Sequence, residues 1–358
     1  MSETAGSRLL LSTQSLAPGN GGIAAVARMT AVSLSRSRPI EALACQDATD
    51  YSIGTIKVRT FADRRSRFLL ANLAAIRRAT HVIYDFAGTA RAHFDLPFRR
   101  PYAVWLHGWE IWHASSAKYL RALSGATLVL ANSDYTLARA EGAIRAGTNV
   151  VVCPLGTDDD EPPPRIGPPD GPPTVMLLGR ADELFAKGHD LLIEAWPEVT
   201  AAVPQARLLL VGGGPALGRV RELAAASPAR QSIEITGFVP EAALDACWRR
   251  ATVFAMLGFA EGFGLVYAEA MRRGLPVVAS TEDAGQEINL DATTGYNVCR
   301  GDSKRLVEVI VMLLRDRDLA RKLGAAGHSR WREQYTFSAF ERRLASATKR
   351  FFATEAES

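Results

Sequence analysis

Short apolar runs alternate with amphipathic stretches along almost the whole chain. RLLLSTQ, HVIYDF, YAVWLHG, TLVLANS and NVVVCPLG read as strands in the first part, and TVMLLGR, ARLLLVGG, SIEITGF, TVFAML and PVVAS in the second. Between them GIAAVARMTAVSLS, SRFLLANLAAIRRA, HDLLIEAWPEVTAAV, LGRVRELAAAS, LVYAEAMRR and SKRLVEVIVMLLRD carry the helical spacing. Alternation of this kind with short loops predicts parallel sheets covered by helices on both faces. Residues 158–173, DDDEPPPRIGPPDGPP, break the pattern: seven prolines in sixteen positions predict an interdomain linker. The expectation is an α/β chain of two doubly wound domains, 1–157 and 174–337. A last helix, about 338–358, is free to pack back on the first. Ligands of such domains gather at the carboxyl ends of the strands, so two of them facing each other across a hinge make a cleft.

Composition narrows the picture. The 358 residues are 47% hydrophobic, ordinary for a globular protein, and no apolar run is long enough to cross a membrane. MSETAGSRLLL lacks the basic start and cleavage site of a signal peptide. Cys45, Cys153, Cys247 and Cys299 are far apart and form no CxxC, which predicts reduced thiols and no zinc site. The net charge of +4 divides into +8 over residues 1–157 and −4 over the remainder. A basic half suits an anionic membrane surface or an anionic substrate, and arginine-rich composition alone also produces it.

The strongest candidate chemistry lies in GFAEGFGLVYAEAMRRGLPVVAS, residues 258–280. Glu261 falls on the loop at a strand's carboxyl end, and Glu269 early in the helix that follows. The backbone N–H groups of Phe263, Gly264 and Leu265 fall at that helix's N-terminus, where the dipole favours an anion. One helix start thus offers donors for phosphate and carboxylates for sugar or ribose hydroxyls. The structural alternative is that Glu261 caps the turn while Glu269 pairs with Arg272 or Arg273. In VMLLGRADELFAKGHDLL, Arg180 and Lys187 follow another strand end. Two cations there suit a pyrophosphate, Arg bidentately and Lys as a point charge; surface pairing with Asp182 and Glu183 is the alternative. In LAPGNGGIAAV, Gly21 and Gly22 open a helix after a strand, either as a nest of donors for an anion or as a tight turn only. In YAVWLHGWEIW, His107 and Glu110 follow a strand end, and the other histidines show no metal-ligand spacing. No nucleophilic Ser or Cys motif appears.

Together these segments resemble the retaining GT-B-fold glycosyltransferases of family four, the group 1 enzymes of bacterial polymer and lipid glycosylation, and the exopolysaccharide mannosyltransferase branch in particular. The resemblance rests on Glu261 and Glu269 within AEGFGLVYAEAM, Arg180 with Lys187-Gly-His-Asp, ITGFVPEAAL, EDAGQEINLDATTGYNV, PGNGGIAAV, LHGWE and ANSDYT. It is weakest over residues 36–80. The resemblance implies that Arg180 and Lys187 bind the donor's phosphates and stabilise the leaving diphosphate. Glu269 would hold the ribose hydroxyls, and Glu261 the hydroxyls of the donor sugar. The backbone of Phe263, Gly264 and Leu265 would touch sugar and phosphate, and that near Val239 would edge the base. Gly21 and Gly22 would approach the phosphates from the first domain, with His107 lining the sugar pocket. Asp182 and Glu183 would compete for the two cations, and Ala284-Gly285 replaces the family's usual Gly-Gly.

The implied activity is transfer of a hexose, mannose from GDP-mannose in the first instance, to a saccharide or lipid-linked acceptor in polysaccharide or glycolipid biosynthesis. Attack comes from the face the leaving group departs, with the leaving phosphate accepting the acceptor's proton. Protein cations neutralise the leaving group, so no metal and no bound cofactor is expected, nor a nucleic-acid partner. The expected location is the cytoplasm or the inner face of the cell membrane, with Arg64, Arg65 and Arg67 before, and Arg77 and Arg78 after, an apolar face of Phe68, Leu69, Leu73 and Ile76. Rival readings are a UDP-sugar donor, a nucleotide-sugar epimerase or phosphorylase on this fold, and a non-catalytic sugar-nucleotide-binding subunit.

Overall fold

The structure, a computed structural model, describes residues 8–93, 100–112, 117–140, 144–259 and 261–353. It divides into two compact units, residues 1–158 with 337–358, and residues 159–336.

The first unit is built from β1 (Leu9–Thr13), α1 (Gly21–Ser35), β2 (Ile40–Ala44), β3 (Tyr51–Ile53), β4 (Ile56–Thr60), α2 (Arg65–Arg78), β5 (His81–Tyr84), α3 (Ala87–Ala90), β6 (Tyr102–Leu106), α4 (Trp109–Trp112), α5 (Ala117–Ser124), β7 (Leu128–Ala131), α6 (Asp134–Ala140) and β8 (Val150–Val152). Its eight strands lie in the order β3-β4-β2-β1-β5-β6-β7-β8. All neighbours are parallel except β3 and β4, an antiparallel hairpin at the edge. The strand pattern quoted above passes over β2, β3 and β4. None of the three is a continuous apolar run: β4 alternates buried Ile56 and Val58 with exposed Lys57 and Arg59, so only one of its faces is covered. The central strands are buried along their whole length because helices cover both faces. Trp105 is fully buried in β6 and satisfies its indole N–H on Thr30 Oγ1 of α1 at 3.1 Å.

The second unit comprises β9 (Thr174–Leu178), α7 (His189–Ala202), β10 (Arg207–Val211), α8 (Leu217–Ala226), β11 (Ile233–Gly237), α9 (Glu241–Trp248), β12 (Val253–Met256), α10 (Leu265–Arg272), β13 (Val277–Ser280), α11 (Gly285–Ile288), β14 (Gly295–Val298), α12 (Ser303–Arg315) and α13 (Arg317–Gln334). Six parallel strands run in the order β11-β10-β9-β12-β13-β14. Asp302 and Asp316 cap α12 and α13 by accepting the N–H of Arg305 and Leu319, each at 2.9 Å. The proline-rich stretch from residue 159 is tied down within this unit. Arg272 binds Asp159 at 2.8 Å, the N–H of Gly167 bonds the Arg273 carbonyl at 2.8 Å, and Arg321 reaches Asp170 at 3.3 Å. A last helix, α14 (Phe337–Ala353), belongs to the first unit, where Glu341 meets Arg36 at 2.6 Å and Arg343 donates to the Pro154 carbonyl at 3.0 Å.

On α2 the face drawn from the sequence splits. Phe68 and Ile76 point into the core, whereas Leu69 and Leu70 are 44% and 69% exposed beside Arg64, Arg65 and Arg67. The core-facing reading holds for the first pair, and the outward apolar surface is Leu69 with Leu70.

Candidate active site

In each unit the strand order reverses once, between β9 and β12 in the second and between β1 and β5 in the first. Loops leaving the two strands at such a point run to opposite sides, and the crevice they leave at the carboxyl ends is where α/β proteins bind ligands.

In the second unit the β9 loop carries Arg180 and Lys187, and the β12 loop carries Glu261. Two backbone bonds join these loops: Leu257 N–H to the Lys187 carbonyl and Phe259 N–H to the Ala186 carbonyl, both 3.2 Å. They bring Lys187 Nζ onto Glu261 Oε2 from 74 positions away. Both side chains are only about one-fifth exposed, 20% and 21%. Burial works against the lysine's charge, but Glu261 first, then Asp283 and Asp182, outweigh it and raise the ammonium above its ordinary range. Burial likewise opposes the Glu261 charge. Lys187 and the backbone N–H groups of Phe263 and Gly264 overcome it and hold the carboxyl below its usual range.

The structure thus realises part of the local-capping alternative: two of the three amides expected to face a ligand, those of Phe263 and Gly264, already serve Glu261. Leu265 opens α10, and Gly264 before it has a φ of +86° and a Cβ position that would overlap the Tyr267 ring. The acids of the β9 loop do not take the cations. Asp182 Oδ1 accepts the N–H groups of Leu184 and Ala186, both at 3.0 Å, and so shapes the loop. Arg180 is exposed, and its side chain has no hydrogen-bond or ion-pair partner among the described residues. Glu269, the fifth residue of α10, is half-buried, and its carbonyl accepts from Arg273 at 3.1 Å. The Arg272 guanidinium turns to Asp159 and the Glu161 carbonyl. Val239 is half-buried just beyond β11, next to Phe238, which is 71% exposed.

Two residues of this cluster escaped the sequence reading. Asp283, just beyond β13, is completely buried: its Oδ1 accepts the Gly285 N–H at 2.8 Å, and its Oδ2 has no hydrogen-bond partner among the described residues. Burial, then the Glu261 charge, push its carboxyl up to about 7 against the opposing pull of Gly285, Lys187 and Arg300. Gly258 makes room for it, since a Cβ there would overlap Oδ2. Arg300 donates to the Leu257 carbonyl and lies over the Phe259 ring at 4.8 Å. An acid and an arginine just beyond two further strand ends were the available signal.

In the first unit Gly21 and Gly22 open α1, exposed, with nothing within 4 Å of either Cβ position. Asp47, another residue the sequence did not single out, holds the preceding loop. It accepts Ser15 Oγ at 2.5 Å, the Leu16 N–H at 2.9 Å and the Tyr51 hydroxyl at 2.7 Å, while Asn20 Nδ2 donates to Ser15 Oγ at 2.8 Å. His107 follows β6. Its backbone N–H goes to buried Glu110 at 2.9 Å, and its Nε2 lies 2.8 Å from the Asp85 carbonyl oxygen. A carbonyl can only accept, so Nε2 carries the proton and a neutral ring keeps Nδ1 as an acceptor. Asp85 itself is buried after β5, bonded by the Gln14 N–H and the Thr89 hydroxyl, each at 2.6 Å, and burial still pushes it up to about 7.

Residues 158–330 match the family Glycosyl transferases group 1, to which this chain belongs. The chain is 31% identical over 257 residues to the GDP-mannose-dependent alpha-(1-6)-phosphatidylinositol monomannoside mannosyltransferase of Mycobacterium tuberculosis, a match spanning 66% of each chain. Its fold is GT-B. Sucrose-phosphate synthase from Thermosynechococcus elongatus superposes with a TM-score of 0.81 at 20% identity, over 97% of this chain and 100% of that one. Anabaena HepE in complex with UDP and glucose does so with 0.79 at 18%, over 96% and 100%.

Proposed function

We propose that the protein is a retaining glycosyltransferase that moves mannose from GDP-mannose to a saccharide or lipid-linked saccharide acceptor. The observation that carries the reading is the meeting of Lys187 and Glu261 at the reversal point of the second sheet, with unpartnered Arg180 on the same loop as the lysine. Arg180 and Lys187 bind the donor's diphosphate, and on arrival of the phosphates Lys187 exchanges Glu261 for them. Glu261 is then free to accept hydroxyls of the sugar, Glu269 those of the ribose, and the backbone near Val239 edges the base. Gly21 and Gly22 take phosphate oxygens, and His107 offers Nδ1 to the sugar. As the anomeric bond breaks, negative charge grows on the diphosphate, where fixed cations stabilise it by roughly 3 kcal/mol per strong donor. The acceptor hydroxyl attacks the same face and passes its proton to the leaving phosphate.

Mannose, its GDP carrier and a lipid-linked acceptor are supported by the tuberculosis relative's name. A binding subunit without activity has no use for the full set of Arg180, Lys187, Glu261 and Glu269. A thermal-shift panel of nucleoside diphosphates tests the donor: GDP at a hundredfold excess over its dissociation constant stabilises by about 2.7 kcal/mol. Stabilisation by UDP and not GDP refutes the base assignment. GDP-mannose incubated with the protein alone should release free mannose slowly, and no release refutes catalysis.

A further inference from the structure

A cavity of about 930 Å³ lies wholly within the first unit, at the carboxyl ends of β1, β2, β4 and β5 and under α5. Its size is that of a site for a small molecule. Four cations line it, Arg65, Arg91, Lys118 and Arg121, against one acid, Asp63. Asp63 is already matched to Arg65 at 3.4 Å. Arg91 and Lys118 are exposed, and their side chains have no ion-pair or hydrogen-bond partner among the described residues. Phe68, Leu69, Phe86 and Tyr119 supply an apolar part of the wall, Gln14, Gln46 and Thr89 a neutral polar part, and Cys45 is held as a neutral thiol because burial, then Asp63, raise it. Leu69 is 44% exposed, so the apolar wall continues onto the outer surface of α2, beside Leu70. Two cations without an ion-pair partner lining one cavity favour an anion there.

We infer that this cavity binds the acceptor through a phosphate group carried next to a hydrocarbon segment, with Arg91 and Lys118 on the phosphate and Phe68, Leu69 and Phe86 on the hydrocarbon. The inference rests on the glycosyltransferase reading for the word acceptor, but not for the ligand's chemistry. Arginine offers a phosphate a bidentate fork and lysine a point charge, and neutral saccharides need neither. Thr89 Oγ is committed to Asp85, Cys45 is protonated and Asp63 is matched to Arg65, so no described lining residue competes with a phosphate for Arg91 and Lys118.

Calorimetry on the full chain tests this with four probes below their aggregation limits: dioctanoyl phosphatidylglycerol, glycerol 3-phosphate, uncharged dioctanoylglycerol, and GDP. The phosphatidylglycerol should bind at least tenfold more tightly than either half-probe. Arg91→Glu with Lys118→Glu should weaken it at least tenfold and leave GDP affinity and thermal stability unchanged. Equal binding of the neutral diglyceride, or an unaltered phosphatidylglycerol affinity in the double variant, overturns the phosphate assignment. Glycerol 3-phosphate binding as tightly as the lipid overturns the hydrocarbon half and assigns the cavity to a free phosphorylated acceptor. Should GDP fail to bind while the lipid binds as expected, the donor reading falls and the anion-binding cavity stands.

Discussion

Replacing Lys187 with Met removes one charge from a pair that the second unit keeps only about one-fifth exposed (20% and 21%) and leaves most of the stem's packing. Breaking a fully buried ion pair costs about 3–5 kcal/mol, chiefly because the surviving charge is stranded. Here partial exposure and the two remaining amides, Phe263 and Gly264, soften that loss, and about 2–3 kcal/mol is expected. For a unit of this size that lowers the unfolding midpoint by roughly 4–12 °C. Glu261→Gln removes the stranded charge, so the double variant should lie closer to wild type than the two single losses added together, with a coupling of at least about 1.5 kcal/mol. Scanning calorimetry and urea unfolding of the four proteins measure it. Strict additivity, or a Lys187→Met loss under about 0.5 kcal/mol, would refute the picture of a buried pair held ready for a diphosphate. The same variant should lose about 100-fold in kcat/KM for the donor if the lysine moves to the phosphates.

The two glutamates should separate: Glu269→Ala weakens binding of the free nucleoside diphosphate about tenfold, whereas Glu261→Ala lowers kcat and leaves that affinity nearly intact, and equal losses in calorimetry would contradict the assignment. Asp283 titrates about 7 folded against an ordinary value of 3.8, so the folded state holds its proton more tightly and stability falls as pH rises from about 4 to 7. Asp283→Asn should therefore gain a few kcal/mol over wild type at pH 8 and lose that advantage near pH 4, and a pH-independent difference would rule the burial argument out. Vesicles rich in phosphatidylglycerol should carry the protein upward in a flotation gradient at low salt, through Leu69, Leu70 and the arginines beside them, each cation contributing about 1 kcal/mol. Salt, or Arg64, Arg65 and Arg67→Glu, should release it, and a protein that stays below with anionic vesicles at low salt has no such surface.

Period and chemistry are local properties, and the sequence determined what depends on them. Continuous apolar runs of strand length bounded by turn residues read as strands buried on both faces, so both parallel sheets were legible, as were the glycine-rich turns and charged residues just past the strand ends. The quoted strand pattern missed β2, β3, β4 and β14, where partial exposure and short length weaken the apolar signal. What the sequence left open concerned partners far apart along the chain. Glu261 had either a ligand or a cap to serve; the tertiary structure supplied Lys187, because the β9 and β12 loops meet only once the sheet has its strand order. Arg180 and Asp182 looked like a pair, and the fold gave the acid to two backbone amides of its own loop instead. Asp47, Asp85 and Asp283 carry no motif, and their weight comes from burial and from the hydrogen bonds or nearby charges that register places around them. Only folding decides which charges lose their water, and that loss fixes whether a carboxylate holds a loop, keeps its proton to higher pH or awaits a substrate.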